Sequence, residues 1–298
     1  MSAEGEFLFP LRDVSGDSMS RETPFRYLMQ VGPGHWNIRG SLTMACGLID
    51  VGTHMSLLKL KSGKFLAIDT INLKPEMKSE VDILTVNGTL IDACIATHPF
   101  HTLFFKPFAA LYPGVKLVGT PRHIRMFPEL TWDGATIDTR LDDWKAQGVE
   151  MRIPAGAEFI KPTDGNHFSC VFVFHQQSRT LFVDDTLMFI SPSHSGRCLS
   201  CCLPCLASKM LLHVTAFDGD MNTGLIPQPE SVDLFLAWMH NVLEDWDFDT
   251  LCTAHTGNKV GGAKEAARNM LKGYEESFAK LKQNYQKLAG DMANLSHV

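Results

Sequence analysis

Two similar series of short apolar runs, one in each half of the chain, constrain the fold most. In the first half, "HMSLLKL" and "KFLAIDTI" flank the short turn "KSG", and "LIDACIAT" and "VKLVGTP" follow. In the second half, "SCVFVFH" and "TLFVDD" flank the turn "QQSR", and "LLHVTAF" and "TLCTAHTG" follow. Apolar runs joined by short polar turns predict β-hairpins, and the helical patterns between them predict covering helices. The sequence therefore predicts an α+β fold in which two mixed sheets lie face to face with helices outside.

Two helical segments carry the clearest signals. In "PESVDLFLAWMHNVLEDW" the apolar residues at 235, 238, 239 and 242 recur at helical spacing, and Pro229 suits a helix start. Between Leu271 and Leu295 the apolar and aromatic residues recur at alternating steps of three and four, which predicts a long C-terminal helix over 263–297. This helix either lies on its own domain or forms a homodimer contact. A solution mass that stays monomeric at all concentrations would exclude the dimer.

Composition and charge narrow the classes of protein. We expect a single domain over 1–298, with an irregular arm over 1–35 that is rich in Ser, Gly, Pro and Asp. The net charge of −6 argues against a nucleic-acid-binding surface, which needs clustered Lys and Arg. No apolar run approaches the roughly 20 residues of a membrane span, and the N-terminus lacks the basic and apolar regions of a signal peptide. We therefore expect a soluble cytoplasmic protein with a small-molecule substrate.

The eight cysteines fall into two groups. Four occur singly within apolar runs and are expected to be buried thiols, namely Cys46, Cys94, Cys170 and Cys252. The other four form two abutting C-x-x-C pairs, namely Cys198, Cys201, Cys202 and Cys205. Zinc modules usually separate such pairs by a dozen or more residues. A metal or cluster site, S-acylation, and a packed or redox-sensitive loop all remain open for this segment.

Several predicted strands end in side chains that bind metal ions. "LIDACIAT" runs into His98, "TLFVDD" ends at Asp184 and Asp185, "TLCTAHTG" contains His255, and His167 precedes "SCVFVFH". A lone histidine at a strand end is usually a turn residue, but four such sites in a two-sheet sandwich predict convergence. Strand ends are rigid, and a metal site needs rigidly held ligands. The pattern therefore indicates a metal site at one edge of the fold.

The segments "IDACIATHPFH", "TDGNHF", "LFVDDTL" and "TAHTG" resemble, in order and spacing, the metal-binding segments of the metallo-β-lactamase-fold superfamily. The resemblance extends from about residue 40 to 260. "KFLAIDTI" is similar to an early strand of that family, whose aspartate (here Asp69) supports the metal site. The resemblance implies a four-layer αβ/βα sandwich of two mixed β-sheets, metals at one edge between the sheets, and hydrolysis as the usual activity.

The first motif departs from the family's H-x-H-x-D-H pattern. Phe100, Thr102 and Leu103 stand where the family has its second histidine, its aspartate and its last histidine. His101 lies one position away from the family's register. The resemblance carries a ligand role onto the positions that match, namely His98, His167, Asp185 and His255.

The remaining donors suit more than one metal. His98, His167 and Asp185 could bind catalytic zinc with water in the fourth position, or Fe²⁺ as a facial triad. His255 or His101 would complete a four-ligand zinc centre. The loss of three motif residues favours one ion over two. Because the motif aspartate is replaced, Asp184 or Asp185 would have to orient or deprotonate the attacking water.

Three functional hypotheses follow. The first is a metal-dependent hydrolase of a small ester, thioester or lactone, the second a mononuclear non-haem iron oxygenase, and the third an inactive binding protein that retains the fold. The oxygenase would contain stoichiometric iron and consume oxygen. The binding protein would purify without metal, and a chelator would leave its melting temperature unchanged.

Overall fold

The computed structural model describes residues 25–44, 49–163, 166–190, 209–212 and 224–295, and they build two main sheets. The first sheet has six strands in the order β1-β2-β5-β6-β7-β8, with β6, β7 and β8 parallel to one another. The second has five strands in the order β15-β14-β11-β10-β9, in which β11 and β14 are parallel. The predicted hairpins are confirmed, because β5 pairs antiparallel with β6 and β10 pairs antiparallel with β11.

The strands of the first sheet are β1 (Leu28–Gly32), β2 (His35–Gly40), β5 (Thr53–Lys59), β6 (Phe65–Ile68), β7 (Ile91–Ile95) and β8 (Lys116–Val118). Those of the second are β9 (Val149–Arg152), β10 (Phe172–His175), β11 (Thr180–Val183), β14 (Thr250–Thr253) and β15 (Asn258–Lys259). Two small ribbons are formed by β3 (Thr43–Met44) with β4 (Ile49–Asp50) and by β12 (Leu187–Phe189) with β13 (Met210–Leu212).

The helices among the described residues are α1 (Pro75–Thr85), α2 (Phe105–Leu111), α3 (Pro121–Met126), α4 (Pro229–Asp245), α5 (Ala263–Gly273) and α6 (Glu275–Leu295). Two short 3₁₀ turns cover Ile137–Thr139 and Lys145–Gln147. None of the described helices is both long enough and apolar enough to cross a membrane.

Alternation along the strands separates three apolar layers. In β6, Leu66 and Ile68 pack between the two sheets, whereas Phe65 and Ala67 pack on the outer side with residues of α1 and α2. The outer side of the second sheet packs against α4, α5 and α6. Central strands buried on both faces explain why these segments read as continuous apolar runs. The four-layer αβ/βα sandwich is therefore confirmed.

The carboxyl ends of the parallel strands meet at one edge of the sandwich. The backbone N–H of Val171 donates to the carbonyl of Thr97 (2.8 Å), and the Thr97 hydroxyl donates to Asp184 (2.6 Å). These two bonds join the end of β7 to the second sheet. The side chains that follow β6, β7, β11 and β14 therefore converge at this edge.

Two boundaries differ from those expected from the sequence. Strand β1 (Leu28–Gly32) lies inside the segment 1–35 that we expected to be irregular, because it pairs with β2 and extends the first sheet. The C-terminal helix is divided at Tyr274, whose backbone caps α5 before α6 begins. Of the expected thiols, Cys94, Cys170 and Cys252 are free and buried. Cys46 and the cluster Cys198–Cys205 lie outside the described residues.

Candidate metal centre

A tight turn after β7 brings two histidines to the same place. The backbone N–H of His101 donates to the carbonyl of His98 (3.1 Å), so the chain reverses between them. The two rings lie 4.4 Å apart between centroids. A spacing of three residues in this turn therefore puts His98 and His101 side by side, although His101 is out of the family's register.

The carboxylate of Asp185 is the centre of the cluster. Its Oδ1 lies 3.1 Å from His255 Nε2 and 3.3 Å from His101 Nε2. Its Oδ2 lies 3.1 Å from His167 Nδ1 and 3.6 Å from His98 Nε2. Asp185 and His98 are nearly inaccessible, with 6% and 1% of their side chains exposed, whereas His167 is 25% exposed. The cluster therefore has a buried floor and an open side.

In His255 and His101, hydrogen-bond acceptors place the proton of the neutral ring on Nδ1, the nitrogen that points away from Asp185. His255 Nδ1 lies 2.7 Å from the carbonyl oxygen of Gly52, which can only accept, so Nδ1 carries the proton. His101 Nδ1 lies 3.3 Å from Asp69 Oδ2 and 3.4 Å from Asp184 Oδ1, and carboxylates likewise accept. In the neutral rings, both Nε2 atoms therefore direct a lone pair toward Asp185. Such outer hydrogen bonds commonly orient metal-ligating histidines.

Asp185 Oδ1 thus faces two nitrogen lone pairs. A cation bound between these three atoms would offset the repulsion among them. Asp185 Oδ1 is buried and has no hydrogen-bond partner among the described residues, and the same is true of His98 Nε2. Tetrahedral zinc with bonds of 2.0–2.1 Å places its ligand atoms about 3.4 Å apart. The observed separations from Asp185 of 3.1–3.6 Å fit that value. The donor set is therefore compatible with a metal ion.

The electrostatics of the cluster favour a positive charge. Burial alone would raise the pKa of Asp185, but His101, His98 and His255 hold it well below its usual range. Burial would lower the pKa of His101, yet Asp185 and Asp184 outweigh it and raise that pKa well above the ordinary value. A proton on His101 or a metal ion would supply the charge that these carboxylates require.

His98 has a different hydrogen-bond arrangement from His101 and His255. Its Nδ1 accepts from the backbone N–H of Phe100 (3.2 Å), so the proton of the neutral ring lies on Nε2. Burial lowers the pKa of His98 to about 3. Binding of a cation through Nε2 would require this ring to give up the Phe100 contact.

Two groups of three donors are compact enough to share an ion. Within the described part of the chain, the ligand atoms lie within 4.8 Å of one another in His98–His101–Asp185 and in Asp69–His101–Asp184. The trio expected from the sequence, His98 with His167 and Asp185, is not among them. His101 takes the inner position, while His167 and His255 contact Asp185 from the more open side.

Asp184 lies behind the cluster. Its side chain is 0% exposed, and it accepts the Thr97 hydroxyl at 2.6 Å. Asp69 accepts the backbone N–H of Thr97 (3.2 Å) and has a left-handed backbone (φ 55°) at the end of β6. Both carboxylates contact His101 Nδ1. Their geometry suits support of His101.

Sequence reasoning missed three residues near the cluster. His54, the second residue of β5, has Nε2 3.5 Å from Asp184 Oδ1. The guanidinium of Arg39 donates to the carbonyls of Thr253 and Ala254, just before His255. The third is Thr97. His54 and Arg39 lie inside strands, without the strand-end signal that identified the others.

The fold matches solved structures of metallo-β-lactamases. A metallo-β-lactamase from Hirschia baltica is 14% identical with a TM-score of 0.51, and the match covers 86% of this chain and 96% of that one. DIM-1 metallo-β-lactamase is 11% identical with a TM-score of 0.50, covering 83% and 97%. VMB-1 is 9% identical with a TM-score of 0.52, covering 83% and 96%. No protein-family model matches the sequence, and no curated protein sequence matches it. At these identities the likeness concerns architecture, and on that basis the chain has the metallo-β-lactamase fold.

Proposed function

We propose that this chain is a metal-dependent hydrolase whose ion is held at Asp185. The observation that carries the proposal is the position of Asp185 Oδ1, 3.1 Å from His255 Nε2 and 3.3 Å from His101 Nε2. The protons of both neutral rings are held on the opposite nitrogens by Gly52 and Asp69. A buried carboxylate oxygen between two imidazole lone pairs is a ligand set for a cation.

Zinc is the ion that this donor set suits best. Four imidazoles surround one carboxylate, and imidazole with carboxylate is a common ligand combination for catalytic zinc. A facial triad for iron uses two histidines and one carboxylate and leaves the other positions open. The additional histidines therefore favour the hydrolase over the oxygenase.

The proposed ion content follows from the two oxygens of Asp185. Oδ1 faces His101 and His255, whereas Oδ2 faces His98 and His167. The two oxygens would therefore offer donors to a second ion as well as to the first. We therefore propose one zinc ion per chain with room for a second.

The chemistry requires an acyl substrate and an activated water. When bound, zinc lowers the pKa of its water to about 7 and polarises a carbonyl oxygen. The neighbouring histidines keep the pKa of Asp185 well below its usual range, so it stays ionised, as a metal ligand must. Asp184 is fully buried, so we assign it to the support of His101 instead of contact with substrate.

The surroundings favour a small uncharged ester, thioester or lactone. Leu103, just beyond His101, has 66% of its surface exposed and supplies apolar area next to the site. The overall charge of −6 disfavours polyanionic substrates.

The test is elemental analysis of untagged protein, followed by hydrolysis assays with an ester, a thioester and a lactone. We expect zinc in the wild type and loss of both zinc and turnover in Asp185→Asn. The matched control is Asp92→Asn, which removes only a partly exposed ion pair with Lys64. Stoichiometric iron with oxygen consumption would replace the hydrolase by the oxygenase. Protein that takes up no metal, with a melting temperature unaffected by chelator, would leave only a binding role.

A further inference from the structure

A row of buried polar side chains runs between the two sheets and ends at Asp184. The proposed chemistry does not use these residues, each of which is at most 9% exposed, namely His35, Asn37, His54, Ser56, His175, Ser178 and Asn258. Polar groups in an apolar layer destabilise the fold unless their hydrogen bonds are made. The directions of those bonds can be assigned from groups that only donate or only accept.

The amide of Asn37 has one orientation. Its Nδ2 lies 3.3 Å from the carbonyl oxygen of Met55, which can only accept, so the nitrogen must face that carbonyl. Its Oδ1 accepts from Asn258 Nδ2 at 2.9 Å. These two contacts on opposite sides exclude the flipped amide.

The orientation of Asn37 fixes the tautomer of His54. His54 Nδ1 lies 3.3 Å from Asn37 Nδ2 and therefore accepts a hydrogen bond. The proton of the neutral imidazole must then lie on Nε2, which is in ion-pair contact with Asp184 Oδ1 at 3.5 Å. Both atoms are buried and neither has a hydrogen-bond partner among the described residues, so this contact is the polar interaction open to His54 Nε2. Phe182 stacks on the ring at 4.1 Å between centroids and restrains its plane.

The other branch of the row is consistent with this assignment. Ser56 Oγ accepts from Asn37 Nδ2 at 3.1 Å and is hydrogen-bonded to His35 Nε2 at 2.8 Å. The two N–H protons of Asn37 are therefore shared among three acceptors, namely the Met55 carbonyl, His54 Nδ1 and Ser56 Oγ, so one of them is bifurcated. One set of proton positions is compatible with all of these contacts.

We propose that His54, oriented by Asn37, is a positioning residue that prepares His101 for metal binding. The Thr97 hydroxyl donates to Asp184 Oδ2, and the His54 N–H lies 3.5 Å from Asp184 Oδ1, the oxygen that contacts His101 Nδ1. In this proposal the two groups together keep that carboxylate beside His101. His101 then keeps its proton on Nδ1 and its lone pair on Nε2, toward Asp185. Because His54 Nε2 is a donor, it is not a ligand, and the group around Asp184 supports the metal centre and is not a second metal site. This inference rests on the proposed metal-binding function.

The test compares two substitutions of His54 that differ in one N–H. In His54→Gln, the side chain can still accept from Asn37 and donate to Asp184, whereas His54→Met fills similar space without a donor. Zn²⁺ affinity is measured by competition with a chromophoric chelator, and the visible spectrum of the Co²⁺-loaded protein reports ligand geometry. We expect His54→Met to lose about 10- to 100-fold in Zn²⁺ affinity and to change the Co²⁺ spectrum. His54→Gln should retain both.

The matched control is His175→Met, in the same row but beyond Ser178, 2.8 Å from it. It should lower the melting temperature and leave Zn²⁺ affinity unchanged, which separates positioning from general damage. If His54→Met does not fold, Asn37→Ala replaces it, since it frees the tautomer of His54 and should give the same loss of affinity. Equal affinities in the donor-free variant and the wild type, or equal losses in His54→Gln and His54→Met, would overturn the inference. Wild-type protein that binds no Zn²⁺ would instead overturn the proposed function.

Discussion

Asp184 and Asp185, adjacent in sequence, contact opposite nitrogens of the same imidazole ring. Asp185 Oδ1 lies 3.3 Å from His101 Nε2, and Asp184 Oδ1 lies 3.4 Å from His101 Nδ1. One carboxylate therefore belongs to the candidate metal centre and the other to its support. From the sequence Asp184 was a candidate for activating water, and we propose the supporting role instead because its side chain is fully buried.

Replacement of Asp184 by Asn tests this division of roles. The amide cannot accept as strongly from His101 Nδ1, so the orientation of that ring is weakened. We expect Zn²⁺ affinity to fall about 10- to 100-fold, while kcat at saturating zinc stays close to that of the wild type. Chelator competition and steady-state kinetics measure the two quantities. A collapse of kcat with unchanged affinity would return Asp184 to the role of base.

The buried histidines away from the metal centre predict acid sensitivity. Burial, with a smaller contribution from His175, lowers the pKa of His35 well below 6.5. Below about pH 6.5 the unfolded chain binds a proton at this residue that the folded chain does not. The stabilising contribution is therefore present above that pH and is lost as the pH falls.

We expect His35→Gln to reduce the loss of stability between about pH 7.5 and pH 5.5, measured as urea midpoints of metal-free protein. The control is His240→Gln, because His240 is exposed on α4. It should leave the pH dependence of the wild type intact. Identical pH dependence in His35→Gln and the wild type would show that His35 does not contribute.

Gly224 holds the turn that carries His167. Its φ is +76°, and an added Cβ would lie 2.2 Å from Asn166 Oδ1. That oxygen accepts the backbone N–H groups of Phe168 and Ser169, each at 3.1 Å. We expect Gly224→Ala to cost about 1–3 kcal/mol and to lower metal affinity, because the clash displaces the residue before His167.

Gly134 provides a matched control for this substitution. It has the same φ of +76°, but nothing lies within 4 Å of an added Cβ. Gly134→Ala therefore includes the backbone strain without the clash. Thermal melts and chelator competition on both variants isolate the effect of the Asn166 contact. Equal effects of the two substitutions on metal affinity would contradict the assignment.

The sequence predicted the sandwich and its edge because strand periodicity and strand ends are local signals. The ends of β7, β11 and β14 carry His98, Asp185 and His255, as their sequence positions indicated. The inner place of His101 could not be predicted, because it depends on a turn bonded through His98. A motif comparison aligns positions along the chain and does not detect that turn.

The row of buried polar side chains that ends at Asp184 could not be predicted from the sequence either. Asn37, His54 and Asn258 lie on three strands of two sheets, and each is an ordinary polar residue in its own segment. Their relationship arises from pairing between β2 and β5 and from packing of the sheets. The spacing of residues along the sequence does not indicate which side chain donates and which accepts a hydrogen bond.

In the C-terminal helix α6, the apolar residues Phe278 and Leu281 are buried, whereas Leu288 and Met292 are exposed. Phe278 is 0% exposed and packs 5.7 Å from Phe235 of α4 between ring centroids, whereas Leu288 is 50% exposed. Among the helix residues whose side chains are described, those of the three-and-four pattern are therefore buried within the chain near the start of α6 and exposed at positions 288 and 292. We expect Phe278→Ala to cost about 3–5 kcal/mol, and Leu288→Ala to change stability by less than about 0.5 kcal/mol if the chain is monomeric.

Urea denaturation of the two variants, together with sedimentation at several protein concentrations, decides whether the exposed half has a partner. In a homodimer formed through α6, Leu288 would be buried, so Leu288→Ala would lower both the stability and the mass. A monomer mass at all concentrations, together with an unchanged stability of Leu288→Ala, would exclude that dimer. Because Phe278 packs inside its own chain, its substitution should be destabilising in either case, which makes it the internal reference for the comparison.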